Sequence, residues 1–229
     1  MKLRSALLGF ALVIAAEPAH AQKVDATDIA EAKDILKRSV AFQTVEGQGQ
    51  VPAYAAYLAS TLKEAGFPES DITITPMGET ATLVARWPGT SDAKPVVLLG
   101  HMDVVAAKAE DWERDPFTAV EEKGYLYGRG VEDNKYDISM MVATLAQMRR
   151  NGFTPERTLI LALTGDEETA MATTRALAQQ LKGAELVLNG DGGGGLLGPD
   201  GQPIFYGLQG GEKTYADFEI TFTNPGGHS

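Results

Sequence analysis

Three apolar runs, VVLLGHMD (96–103), LILALTGDEE (159–168) and LVLNGD (186–191), constrain this chain more than anything else in it. Near-continuous apolar stretches of this length read as strands covered on both faces, the kind from which parallel sheets are built. Each run closes on side chains that bind metals or handle protons: His101 and Asp103, then Asp166, Glu167 and Glu168, then Asp191. In open α/β sheets ligands sit beyond the carboxyl ends of the strands, so these residues are expected along one edge.

Helical patterns separate the runs. Residues 26–42, ATDIAEAKDILKRSVAF, place Ile29, Ala32, Ile35, Leu36 and Val40 on one face, and residues 51–67 repeat that spacing. ITITP (72–76) and TATLVARW (80–87) read as short strands, residues 134–150 and 169–181 as helices, and GYLYGRGVEDNK (124–135) as a glycine-rich loop leading into the first of these. The alternation predicts an α/β domain with a mostly parallel sheet sandwiched by helices.

With 229 residues the chain can bury one large core. Acids outnumber bases 31 to 20 and no basic run occurs, which argues against a nucleic-acid partner. The absence of cysteine excludes disulfides, thiolate metal sites and Cys nucleophiles, so any metal must be held by His, Asp and Glu. At the N-terminus, Lys2 and Arg4 precede an apolar stretch (6–16) and the small-x-small triplet Ala19-His20-Ala21. Residues 1–21 are therefore expected to be a signal peptide cut after Ala21, since the stretch falls short of the ~20 residues that span a bilayer. An exported protein, periplasmic or secreted and without a stable membrane anchor, follows, with His101 and His228 as its remaining histidines.

Separately, the polar strand ends have ordinary readings. His-x-Asp can be a hydrogen-bonded pair, Asp-Glu-Glu a helix cap, and Asp191 before four glycines a turn. Jointly they form a hard, oxygen-rich set. His101 and Asp103 are two apart and on a strand would point the same way, so that the acid could fix the imidazole tautomer. Two divalent ions sharing a bridging carboxylate would use the supply of acids well.

GHMDVV (100–105), DPF (115–117), YGRGVEDNK (127–135), LTGDEET (163–169), NGDGGGG (189–195) and FTNPGGHS (222–229) occur in the order found in the M20 metallopeptidases, which the chain resembles. That family includes glutamate carboxypeptidases, aminoacylases, succinyl-diaminopimelate desuccinylases and carnosinase-like dipeptidases. The resemblance implies a zinc-exopeptidase-like catalytic domain over 22–211. Residues 212–229 would begin an α+β lid or dimerisation domain, with the alternating run 214–224 as an antiparallel strand. It further implies that His101 binds one metal, oriented by Asp103, that Asp133 bridges both metals, and that Glu168 binds the second. Asp191 would join His101, although the family often has Glu there, and Tyr136 stands where many members have Gly. Glu167 would be the general base acting on a metal-bound water, and His228 would stabilise the oxyanion, often from a partner subunit. Asp166 reads as structural.

The implied cofactors are two divalent ions, zinc first, with cobalt or manganese as alternatives. The implied substrates are small peptides, cleaved as by a carboxypeptidase or dipeptidase, or else N-acyl amino acids, and the implied assembly is a homodimer through the lid. Family chains run longer and supply a last metal-binding His, so these residues read as a truncated part, expected to be inactive alone or to bind metal without turnover. Other readings fare worse. GLQGGEKT (207–214) nearly spells a phosphate loop but places Glu212 where glycine is needed, and no G-x-S-x-G elbow occurs.

Overall fold

The computed structural model describes residues 25–192, 194–211, 216 and 218–227. The expected signal segment and His228 lie outside the described residues, as do residues 212–215 at the expected domain boundary.

Five strands form the central sheet in the order β1-β2-β6-β3-β7, from β1 (Ile72–Met77), β2 (Thr80–Trp87), β3 (Val96–His101), β6 (Leu159–Thr164) and β7 (Leu186–Asn189). β3 pairs in parallel with both β6 and β7, whereas β2 runs antiparallel to β1 and β6. Four strands thus point the same way and only β2 opposes them. Helices α1 (Ala26–Val40), α2 (Val51–Glu64) and α3 (Lys135–Arg150) cover one face, while α4 (Ala172–Gln180) covers the other.

The two-sided burial expected of the second apolar run is present. In β6, Leu161 and Leu163 enter the larger core with Leu58, Leu62 and Ile138, and Ile160 and Ala162 enter the smaller one with Val97 and Leu177. Alternation of side chains across the pleat feeds one strand into two cores. α1 starts at a reciprocal cap, Asp25 accepting from the Thr27 and Asp28 N–H groups while Asp28 accepts from that of Asp25.

Several expectations need correction. β7 is an edge strand with Leu186, Val187 and Leu188 all more than 40% exposed, because among the described residues neither a further strand nor a helix packs against it. Tyr125–Tyr127 within the expected loop is strand β5, paired with β4 (Val120–Glu122), and part of the tetraglycine run forms β8 (Gly194–Leu197), paired with β9 (Pro203–Gly207). The described residues of 214–224 form no strand, and Phe218, Ile220 and Phe222 are exposed. Period-two alternation needs a ladder partner and a covering layer to become a strand, and the described residues supply neither. No helix among the described residues is long and apolar enough to cross a membrane.

The hinge between β6 and the site is tightest at Gly165. A Cβ there would lie 2.4 Å from Thr80 Oγ1, 2.5 Å from the Ala81 carbonyl oxygen and 2.6 Å from Val51 Cγ1. Gly165→Ala is expected to lower unfolding stability by about 1–3 kcal/mol in urea titrations, as overpacking does. An unchanged midpoint would mean that β2 can move away from the turn at no cost.

Candidate metal centre

The register of the sheet levels its strand ends. His101 pairs with Thr164 on one side of β3, and Leu99 pairs with Asn189 on the other. The next residues of each strand therefore emerge side by side. His101 is 2% exposed. Its Nδ1 lies 3.0 Å from the carbonyl oxygen of Asp103 and 3.5 Å from that residue's carboxylate. Its Nε2 lies 2.8 Å from Asp133 and 3.9 Å from Asp191. With Nδ1–H donating to the carbonyl, Nε2 is the nitrogen turned to the acids.

Asp103 departs from its expected geometry. β3 ends at His101, so strand alternation does not extend to Asp103, and the closer partner of the imidazole is the Asp103 main chain. The carboxylate instead accepts the Glu167 N–H on Oδ1 at 3.1 Å and the Glu168 N–H on Oδ2 at 2.9 Å. One buried acid thus holds the backbone of the two acids that follow β6. These hydrogen bonds and the imidazole offset the burial that opposes its charge, and the Asp103 carboxyl stays below its ordinary range.

The turn that carries Glu167 and Glu168 is held from its other end by Asp166. Its carboxylate accepts the N–H groups of Ala172 at 2.8 Å and Thr173 at 2.9 Å, together with the Thr173 hydroxyl. Residues 169–171, expected in the helix, belong to the turn, with Met171 at φ 52° just before α4. The cap is supplied by Asp166 from outside the helix, which leaves Glu167 and Glu168 free to face inward.

Asp133 arrives from the loop before α3. The residue after it, Asn134, is 1% exposed and was not singled out from the sequence. Its Oδ1 accepts the His101 N–H at 3.0 Å and its Nδ2 donates to Asp137 at 3.1 Å, joining the end of β3 to the start of α3. Only its position, polar and directly before a helix, hinted at such a role. Lys135 is fully buried, with Nζ donating to the carbonyls of Ser39, in the last turn of α1, at 3.0 Å and Phe42, just beyond it, at 2.7 Å. Burial lowers its pKa to about 7, against the pull of Asp103.

The described residues bring together His101, Asp103, Asp133, Glu167, Glu168 and Asp191. Ligand-type atoms of His101, Asp133 and Glu168 lie within 4.8 Å of one another, and so do those of His101, Glu167 and Asp191. The first group unites the expected bridge with the expected second-metal acid. The second places Glu167, expected to hold no ion, beside Asp191. One imidazole nitrogen amid carboxylates is a donor set suited to hard or borderline divalent ions.

The electrostatics agree with that fit. Burial raises the pKa of Glu167, with Asp191, Asp103 and Asp133 adding to the rise against His101, and burial together with Asp133 raises that of Glu168. Burial works against the charged His101 imidazolium, yet its bond to Asp103 and the charges of Asp103, Asp133 and Asp191 push it up to about 9. The site gathers negative charge and holds a proton where a cation would relieve it.

Two outcomes follow. A divalent ion held by His101 Nε2 would compete with the proton there, so its apparent affinity should rise roughly tenfold per pH unit from 6.5 toward 9 and level off above, measured against a chelator. A flat profile would show that Nε2 carries no proton in the metal-free protein. Asp103→Asn keeps size but offers one carbonyl oxygen to two N–H groups, and metal affinity should fall about 10- to 100-fold by metal analysis. Undiminished affinity would mean that the acid turn keeps its shape unaided.

Comparison with known proteins agrees with the fold. The pattern of peptidase family M20/M25/M40 matches residues 97–225, more than half of the chain. N-fatty-acyl-amino acid synthase/hydrolase PM20D1 of Mus musculus is 38% identical over 77 residues, 34% of this chain and 15% of the relative. Carboxypeptidase S of Saccharomyces cerevisiae is 30% identical over 158 residues, 64% of this chain and 27% of the relative. Among solved structures, the dipeptidase Dug1p of Saccharomyces cerevisiae superposes with a TM-score of 0.63 at 21% identity, covering 75% of this chain and 40% of that one, a likeness of fold. The matched regions span about a quarter or less of these two curated relatives. With its strand ends, acid turn and glycine loop inside the matched region, the chain belongs to peptidase family M20/M25/M40.

Proposed function

We propose that this protein belongs to an exported hydrolase of amide bonds that acts on small peptides as a carboxypeptidase or dipeptidase. His101, Asp133, Glu168 and Asp191 would hold two divalent ions, zinc first. The observation that carries the reading is the meeting of His101 Nε2 with carboxylates from three separate strand ends and loops. Ions bound there would polarise the amide carbonyl and make a water easier to deprotonate.

The chain's own residues divide the remaining work. Glu167 takes the proton from the attacking water and delivers it to the departing amine, a role suited to a carboxyl whose pKa is raised by burial and neighbouring acids. Asp103 holds Glu167 and Glu168 at the backbone, so that two adjacent side chains keep different tasks. Asp133, with 61% of its side chain exposed, remains open to a ligand on the side away from His101. A second reading, hydrolysis of N-acyl amino acids, is favoured by the similarity to the synthase/hydrolase PM20D1.

The test is the contrast between neighbours in the full chain. Glu167→Gln should lower amide turnover about 10²- to 10⁴-fold while metal content stays near normal, whereas Glu168→Gln should lose metal. Because Glu167 also lies near His101 and Asp191, equal metal loss in the two variants would make it a ligand and overturn the division. Turnover of dipeptides against N-acyl amino acids decides between the two readings.

A further inference from the structure

A glycine directly precedes the first histidine or acid at each of the three strand ends: Gly100 before His101, Gly165 before Asp166 and Gly190 before Asp191. Gly165 is held against β2, whereas Gly100 and Gly190 face the start of α3. Neither of these two adopts a left-handed conformation, so backbone freedom is not what the positions require. They require space. A Cβ at Gly100 would lie 2.7 Å from Asn134 Oδ1 and 3.1 Å from Ile138 Cγ1. One at Gly190 would lie 2.6 Å from Asp137 Cβ and 3.0 Å from its Cγ. The start of α3 is thus wedged against the ends of both β3 and β7.

The wedge is a hydrogen-bonded pair. The His101 N–H donates to Asn134 Oδ1 at 3.0 Å, which turns Nδ2 toward Asp137, and the Asp137 carboxylate accepts it at 3.1 Å. An ionised carboxylate only accepts, so it holds the amide in the orientation that serves His101. An acid three positions past a helix N-cap ordinarily serves the helix, by accepting the N-cap backbone N–H. Asn134 is the N-cap of α3, yet its side chain makes no capping bond and joins His101 to Asp137 instead. At the other strand end, the Gly190 N–H donates to the Leu99 carbonyl at 3.0 Å, and the same residue rests on Asp137. Asp133, Asn134, Asp137, Gly190 and Asp191 border a single cavity.

We propose that Asp137 is a positioning residue of the centre: by fixing the Asn134 amide and backing Gly190, it sets where Asp133 and Asp191 stand relative to His101 Nε2. The inference rests on the reading of this cluster as a metal centre. It gives the first turn of α3 a task that neither helix capping nor ion binding accounts for.

Zinc affinity of the full chain, measured by competition with a chelator on variants shown to be folded by circular dichroism, tests it. Asp137→Asn and Asp137→Leu both remove the charge and keep a branched side chain, but only the asparagine can still accept from Asn134. The leucine variant should bind zinc about 10- to 100-fold more weakly than the asparagine variant, the range expected when the support of a metal ligand is lost. Its cobalt-loaded form should also show a visible spectrum displaced from that of the asparagine variant, because the ligands stand differently. Gly190→Ala should weaken zinc binding about tenfold or more. In the Gly190→Ala/Asp137→Gly double variant the loss should be smaller than the product of the two single losses, since removing one Cβ makes room for the other. Equal zinc affinities in the asparagine and leucine variants, or losses that simply multiply, overturn the proposal. Failure of the metal-centre reading shows separately, as absence of zinc binding by the unsubstituted chain, and would take the inference with it.

Discussion

A buried carboxylate bonded to the backbone of two other acids holds this site together. Asp103 stands two residues beyond the end of its strand, 4% exposed, and spends its two oxygens on consecutive N–H groups of the neighbouring strand's outgoing turn. Left unpaired at that depth, the charge would be expensive. Paired, it fixes the distance between the ends of β3 and β6. The position of His101 relative to Glu167 and Glu168 follows from that bond and from the parallel register that levels the two strands.

Around this link the supports are mutual. Asp166 caps α4 from the same turn, Asn134 ties the His101 backbone to the loop carrying Asp133, and Lys135 ties that loop to the end of α1. Each is a polar group buried with its partners satisfied, which is the condition under which polar interiors specify one arrangement. These supports leave Asp133, Glu167 and Glu168 partly open. The result is a negatively charged edge where burial raises the Glu167 and Glu168 pKa values and a cation would relieve the charge.

The same construction gives adjacent acids different partners. Asp166, Glu167 and Glu168 share a sequence neighbourhood, yet Asp166 faces the helix start, whereas Glu167 and Glu168 fall into separate groups around His101. The turn rotates each side chain to a different set of partners.

Much of this was legible without coordinates. Apolar runs, helical periodicity and the residues closing each run determine the α/β class, the strands of the central sheet and the edge where the acids gather, because hydrophobic period and strand polarity are local properties. Burial could not be read that way: LVLN has the composition of a core strand but lies on an edge, since coverage depends on what else packs there. Nor could the partners of Asp103. Sequence spacing pointed its carboxylate at His101, from which it stands 3.5 Å away, but gave no sign of its closer bonds to the N–H groups of Glu167 and Glu168. Asn134 carried no signal beyond its position before a helix, because it acts through a pair of hydrogen bonds to groups 33 and 3 residues away. Which polar side chains converge is written in the order of motifs along the chain; which atoms then bond is decided only when strand ends, loop and helix meet in three dimensions and every buried donor and acceptor must find a partner.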